Sequence, residues 1–92
     1  MTYRVEWTDP AQMALLEMWA TLDSPAFRRI SSAVVELERR LSTDPDNEGE
    51  SRDSELRITF EEPLGITFNI DPDDRLASII AAWLIKDREE RE

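Results

Sequence analysis

The chain has 92 residues, 40% of them hydrophobic and 35% charged, which bounds it to one globular domain and excludes a disordered or membrane-spanning class. Its 21 acids against 11 bases leave a formal net charge of −10, a field that repels phosphate backbones and argues against nonspecific nucleic-acid binding. Cysteine is absent, so disulfides and thiolate metal sites are excluded; with no signal-like N-terminus and no apolar run of about 18 residues, a cytoplasmic protein is expected.

The opening TYRVEW alternates, with Tyr3, Val5 and Trp7 on one side and Arg4 and Glu6 on the other, and predicts a first strand. Thr8-Asp9-Pro10 then reads as a helix start, a capping Thr or Asp before proline. The helix runs from about Pro10 to Leu22, and its apolar residues (Ala11, Met13, Leu15, Leu16, Met18, Trp19) cover more than one face, so it is expected to be sandwiched, with Trp19 in the core. Asp23-Ser24-Pro25 breaks the chain and caps a second helix to about Leu41. There Phe27, Ile30, Val34, Leu37 and Leu41 recur at spacings of three and four and form a core stripe. The charged cluster over 36–40 reads as a solvated face. The very short turn between the two helices predicts an antiparallel hairpin.

After a polar stretch, Ser42 to Ser54, the period changes to two. Leu56, Ile58 and Phe60 alternate with Arg57, Thr59 and Glu61, and after EEPLG, Ile66, Phe68 and Ile70 alternate with Thr67 and Asn69. Two hairpin-linked strands sharing one buried face are expected, with Arg57, Thr59, Glu61, Thr67 and Asn69 on the opposite face. Arg75 to Ile85 is apolar on both faces, which predicts a central strand or one with a face awaiting a partner. The expected fold is α+β: a helical hairpin on one face of a four-stranded, antiparallel-type sheet, in the order β-α-α-β-β-β. A single domain covers 1–86, followed by a charged tail at 87–92.

The connector DPDNEGESRDSE, from Asp44 to Glu55, places Asp44, Asp46, Glu48, Gly49 and Glu55 near the spacing of a calcium-binding helix–loop–helix loop. The context disagrees. A strand follows where a helix is needed, Ser51 and Arg52 occupy the eighth and ninth positions, and there is no second loop. The stretch reads as a polar connector with turn chemistry, and no metal or organic cofactor is expected.

The order of elements, together with YRVEWTDPA, VVELERRLSTDP, GESR and ELRITFEEPLGITFNIDPDDRLASIIAAW, resembles the RelE/ParE superfamily of bacterial type II toxin–antitoxin toxins over about Tyr3 to Trp83. The resemblance implies one of two activities. RelE-like members cut mRNA inside the ribosome, whereas ParE-like members inhibit DNA gyrase and are not nucleases. It also implies an antitoxin partner whose segment wraps the toxin.

RNA cleavage by a 2′-hydroxyl needs a base, an acid, and cations for the charge that builds on the phosphate. The resemblance implies Lys, Arg, Glu, His or Tyr on the later strands and the C-terminal segment for these roles. This chain has no His, its one Tyr is Tyr3, and it reads Gly65-Ile66-Thr67 and Trp83-Leu84-Ile85 where family members carry basic or aromatic residues. The candidates that remain are Arg57, Arg52 and Glu61 as a catalytic set, with Glu62 as a further carboxylate. Against this stands the simpler reading, that Arg57 pairs with neighbouring acids. Trp83 and Ile85 are candidates for partner binding, with core packing of Trp83 as the rival reading. Three functions follow: a toxin-like protein acting by protein contact, a ribosome-dependent endoribonuclease, or an inactive toxin-derived module or homodimer that buries Trp83.

Overall fold

A computed structural model describes residues 2–51 and 56–85 of the chain. The elements are β1 (Arg4–Trp7), α1 (Asp9–Thr21), α2 (Ser24–Thr43), β2 (Glu50–Ser51), β3 (Leu56–Glu61), β4 (Leu64–Asp71) and β5 (Leu76–Leu84), with a 3-10 turn at Pro45–Asn47. The tail assigned to 87–92 lies outside the described residues, as do Arg52 and Glu55. No described helix is long and apolar enough to cross a membrane.

Both helices begin where the local chemistry predicts. Asp23 caps α2 by accepting a hydrogen bond from the Ala26 N–H at 3.1 Å, and Pro25 follows in the first turn. Thr8 occupies the corresponding position of α1, but its hydroxyl serves another purpose. Both its Oγ1 and its backbone N–H donate to the Ile79 carbonyl, at 3.0 and 2.9 Å, and so fasten the start of α1 to β5.

The sheet order is β1-β5-β4-β3-β2. It is mixed, which corrects the expected antiparallel type: β1 pairs in parallel with β5, Arg4 opposite Leu76 and Trp7 opposite Ile79. The two strands lie at opposite ends of the chain, so no tight turn imposes an antiparallel pairing, and the helices supply the crossover that a parallel pair requires. The two-residue β2 adds a fifth strand from within the expected connector, pairing Glu50 with Ile58. The doubly apolar β5 is central, between β1 and β4, the first of the two readings its sequence allows.

The helices cover one face of the sheet. The core gathers Ala11, Ala33, Leu37 and Leu41 from the helices with Leu64, Ile66, Phe68, Ala77 and Ile79 from β4 and β5, and Val5 and Trp7 of β1 pack against it. Three expectations about burial change. First, α1 is not sandwiched: Met13 and Leu16 are 57% and 55% exposed on its outer side. Second, Phe27 is exposed and stacks on half-buried Trp19 with ring centroids 5.3 Å apart, so both aromatics belong to the hairpin tip and not to the main core. Ala33 takes the place on the core stripe that spacing assigned to larger side chains. Third, β3 and β4 do not share one apolar face.

That third difference is a matter of register. Glu61 pairs with Leu64 across a two-residue loop, so Phe60 falls opposite Gly65, Ile58 opposite Thr67, and Leu56 opposite Asn69. Side chains alternate with a period of two, so the turn length decides which residues share a face. Here it places Arg57, Thr59 and Glu61 beside Phe68, Ile66 and Leu64 on the helix side, where Thr59 is buried. Leu56, Ile58 and Phe60 go to the open face with Thr67 and Asn69.

Candidate functional site

Two regions of the molecule carry the residues singled out by sequence. The first lies where the C-terminal half of α2 meets β3. Arg40 points from α2 into this junction with its side chain only 23% exposed. Its Nη2 donates to the Phe60 carbonyl at 2.8 Å and to Glu61 Oε1 at 3.1 Å. Glu48 and Glu36 stand 3.6 and 3.8 Å from its other guanidinium nitrogens. The charged stretch over 36–40 is therefore not merely a solvated face. Glu38 also leaves it, accepting from the Trp7 indole N–H at 2.8 Å and tying α2 to β1. Only Arg39 fits the solvated reading. It grips Glu36 by two hydrogen bonds at 3.1 and 2.6 Å, and this grip holds the Glu36 carboxyl below its ordinary value while raising Arg39.

Arg57 is engaged elsewhere. Its Nε donates to the Glu48 carbonyl at 2.9 Å and its Nη2 to the Gly49 carbonyl at 3.1 Å. The guanidinium thus closes the end of the connector onto β3. Gly49 sits there at φ 67°, in the left-handed region, and a Cβ would lie 1.9 Å from the Ile58 carbonyl oxygen, so no other residue fits. Arg57 thus binds backbone carbonyls, and not the acids across the sheet that the simpler reading expected.

The expected Arg57/Glu61 pair is therefore not assembled. The two residues lie four positions apart on β3, about 13 Å along the strand, and each is occupied by a different structural partner. Both are on the helix side of the sheet and not on its open face. Glu62 is exposed in the β3–β4 turn, and Tyr3 is half-buried, its backbone N–H bonded to the Ser42 carbonyl. Arg52, the third member of the set, lies outside the described residues. Two of the connector's acids are likewise drawn into local structure: Asp44 Oδ2 accepts from the Asn47 amide at 2.8 Å, and Glu48 faces Arg40. Among the described residues no three His, Cys, Asp or Glu side chains converge in a way that would hold a metal ion.

The second region is the open face of the sheet. Its registers form rows across β3, β4 and β5: Phe60–Gly65–Trp83, then Ile58–Thr67–Ala81, then Leu56–Asn69–Ser78. A bulge in the pairing between Thr67 and Phe68 keeps Ala81 and Ser78 on the same side. Trp83 lies across Gly65; a Cβ there would meet the indole Cε2 at 2.7 Å. The indole meets the Phe60 ring edge-on, with centroids 6.3 Å apart and planes at 84°. Phe60 remains 50% exposed and Trp83 half-buried, so Trp83 is not a core residue. Ile85, the other residue assigned to partner binding, follows β5 and is half-buried, its N–H bonded to the Pro63 carbonyl at 2.8 Å.

Two features were missed in the sequence, and each had a signal. Arg40 follows Leu37 by three positions and precedes Leu41, which sets it on the flank of the buried stripe. The placement of Phe60 follows once Glu62-Pro63 is taken as the whole loop.

No protein-family model matches the chain, and no curated protein is significantly similar to it in sequence. Solved structures do match in shape. The chain is similar to one in the RelBE2 toxin–antitoxin complex of Mycobacterium tuberculosis, at 22% identity and a TM-score of 0.72, covering 95% of each chain. It is similar to one in the chromosomal ParDE system of P. aeruginosa, at 17% identity and a TM-score of 0.68, covering 92% of this chain and 98% of the other. The isolated RelE toxin of E. coli matches at 12% identity and a TM-score of 0.59, covering 97% and 90%.

Proposed function

Starting from a chain that has the fold of the RelE and ParE toxins, we propose that it is a toxin-like component of a type II toxin–antitoxin system that acts by protein–protein contact, without efficient nuclease chemistry, and is held by a cognate antitoxin. The observation that carries this reading is the engagement of Arg57 and Glu61, the two candidate catalytic side chains among the described residues. Arg57 is bound to the Glu48 and Gly49 carbonyls and Glu61 to Arg40, so neither is poised to stabilise a developing phosphate charge or to take a proton. Large apolar side chains stay accessible instead: Met13 and Leu16 on α1, and Phe60 on the sheet. Exposed residues of this kind anchor protein interfaces. The net charge of −10 further disfavours close approach to RNA.

The test is induction of this chain alone from a tightly controlled promoter in bacteria, together with two assays on the purified protein. The expected result is growth arrest relieved by a co-expressed antitoxin, with mRNA left intact in a translating extract. A gyrase supercoiling assay then asks whether gyrase is the target. Specific mRNA cutting overturns the contact mechanism, and unimpeded growth with folded protein present overturns the toxin-like role.

A further inference from the structure

The helical layer has an outer surface of its own, turned away from the sheet. α1 buries Ala11 and Leu15, and α2 buries Ile30, Ala33 and Leu37. The residues at the opposite helical phase are Met13, Leu16 and Ala20 on α1 and Arg28, Ser32 and Val35 on α2, and all six are exposed. We propose that two copies of the chain meet on this surface, in a weak twofold dimer in which α1 of each copy lies on α2 of the other. This pairing is independent of the toxin-like reading and leaves Phe60 accessible for the contact inferred there.

A surface helix ordinarily turns polar side chains outward. Here four of the six large apolar side chains that stay exposed among the described residues stand on the helices: Met13, Leu16, Phe27 and Val35, the last at 67%. The residues outside the described ones offer them no cover. Apart from Met1 they are Arg52 to Glu55 and Lys86 to Glu92, stretches without a single apolar side chain. Two helices side by side are about 20 Å across, and the 13 residues of α1 run about 20 Å. That is small against the roughly 800 Å² per partner of a standard interface, so the dimer is weak and concentration-dependent.

The polar positions decide in favour of a second copy. Glu17 and Arg28 are both exposed, and neither makes an ion pair among the described residues. Trp19 stacked on Phe27 sets the level of one helix against the other: in an antiparallel hairpin, residues whose numbers add to about 46 stand side by side. A twofold axis along the hairpin lays α1 on α2 of the other copy at these same levels. Glu17 then meets Arg28 of the other copy, Met13 meets Val35, and Leu16 falls on the small Ser32, within about one helical turn. Each contact occurs twice, as a twofold interface requires. The net charge of −10 does not oppose this pairing. Residues 8–35 hold Asp9, Glu17 and Asp23 against Arg28 and Arg29, a net −1, so −9 lies elsewhere in the chain. Charges beyond about 8 Å are largely screened at physiological salt. A nucleic acid finds only two cations here and a surface otherwise apolar.

The experiment is light scattering and sedimentation equilibrium on the full chain from about 10 μM to about 1 mM, a range that reads a weak dissociation constant. The mass should rise with concentration toward twice that of the chain. Leu16→Glu should weaken association about tenfold or more, and Glu17→Arg and Arg28→Glu several-fold each, because each sets like charges together across the twofold axis. The double variant Glu17→Arg/Arg28→Glu restores the pairing with its sense reversed, so its association should return to within about twofold of the parent. All three side chains are exposed, so the variants should fold, and circular dichroism checks that they do. A monomer throughout the range overturns the proposal. So does a dimer that survives Leu16→Glu, one that is lost in Phe60→Ser instead, or a double variant no better than the single ones.

Discussion

Replacing Arg57 with Met separates a structural from a catalytic role, because it keeps the aliphatic stem and removes only the guanidinium. Two charge-assisted hydrogen bonds are lost, at 2.9 Å to the Glu48 carbonyl and 3.1 Å to the Gly49 carbonyl. Bonds of this kind to buried partners contribute about 1.5–3 kcal/mol each. Arg57 is half exposed and water can rehydrate the freed carbonyls, so roughly 1–2 kcal/mol in total is the expected cost. For a domain of this size that lowers Tm by roughly 5–15 °C. Differential scanning calorimetry and urea unfolding at neutral pH measure it, with an unchanged urea slope if the native state is otherwise intact. A Tm within about 2 °C of the parent, accompanied by loss of mRNA cutting, would refute the reasoning and restore Arg57 to a catalytic site. The structural role predicts the opposite pattern: a lower Tm, and any loss of toxicity in step with the folded fraction.

Arg40→Met should be at least as costly, about 2 kcal/mol, since it strands the Phe60 carbonyl and leaves Glu36, Glu48 and Glu61 facing one another; chemical denaturation reads it. The Glu36 carboxyl is held low chiefly by its hydrogen bonds from Arg39, with the charges of Arg39 and Arg40 adding. Its contribution is therefore present above the unfolded value, near the ordinary 4.5, and is lost as pH falls through the lower folded value. Glu36→Gln should lower Tm slightly at neutral pH and leave it unchanged in strong acid. Gly65→Ala should lift the indole off β4 and break its edge-on contact with Phe60, costing about 1 kcal/mol and flattening the near-UV circular dichroism signal. Arg75 closes the turn into β5 with φ at 52°, a left-handed conformation that disfavours side chains, so Arg75→Gly should raise Tm by roughly 2–4 °C.

The candidate site was only partly legible in the sequence. The absence of His, and of cations at the later-strand positions, was plain, and it already weakened nuclease chemistry. That Arg57 is occupied was not legible, because its acceptors are the Glu48 and Gly49 backbone carbonyls, and a carbonyl leaves no mark in residue type. Arg40 was hidden for a related reason. A charged residue on the edge of an apolar stripe looks solvated until the strand it overhangs is known. The outer side of α1 shows the same limit: its many apolar residues implied covering on more than one side, yet Met13 and Leu16 meet solvent in the single chain.

What the sequence determined by itself is whatever depends on short-range chemistry. Asp23 with Pro25 starts α2, and the three-and-four spacing of Ile30, Ala33, Leu37 and Leu41 turns that helix inward. The apolar run from Ile79 to Leu84 narrowed β5 to a central strand or one with a face awaiting a partner, and the sheet order makes it central. The order β-α-α-β-β-β and the resemblance to the RelE and ParE toxins follow from the same local strings, and the matching folds agree. What only the tertiary structure decided is pairing: β1 beside β5 in parallel, β2 on the far edge, and Glu61 opposite Leu64. The last of these matters most for function. Alternation tells which residues of one strand share a side, but not which side of the next strand they join, and a single residue of register moves Phe60 from the core to the open face.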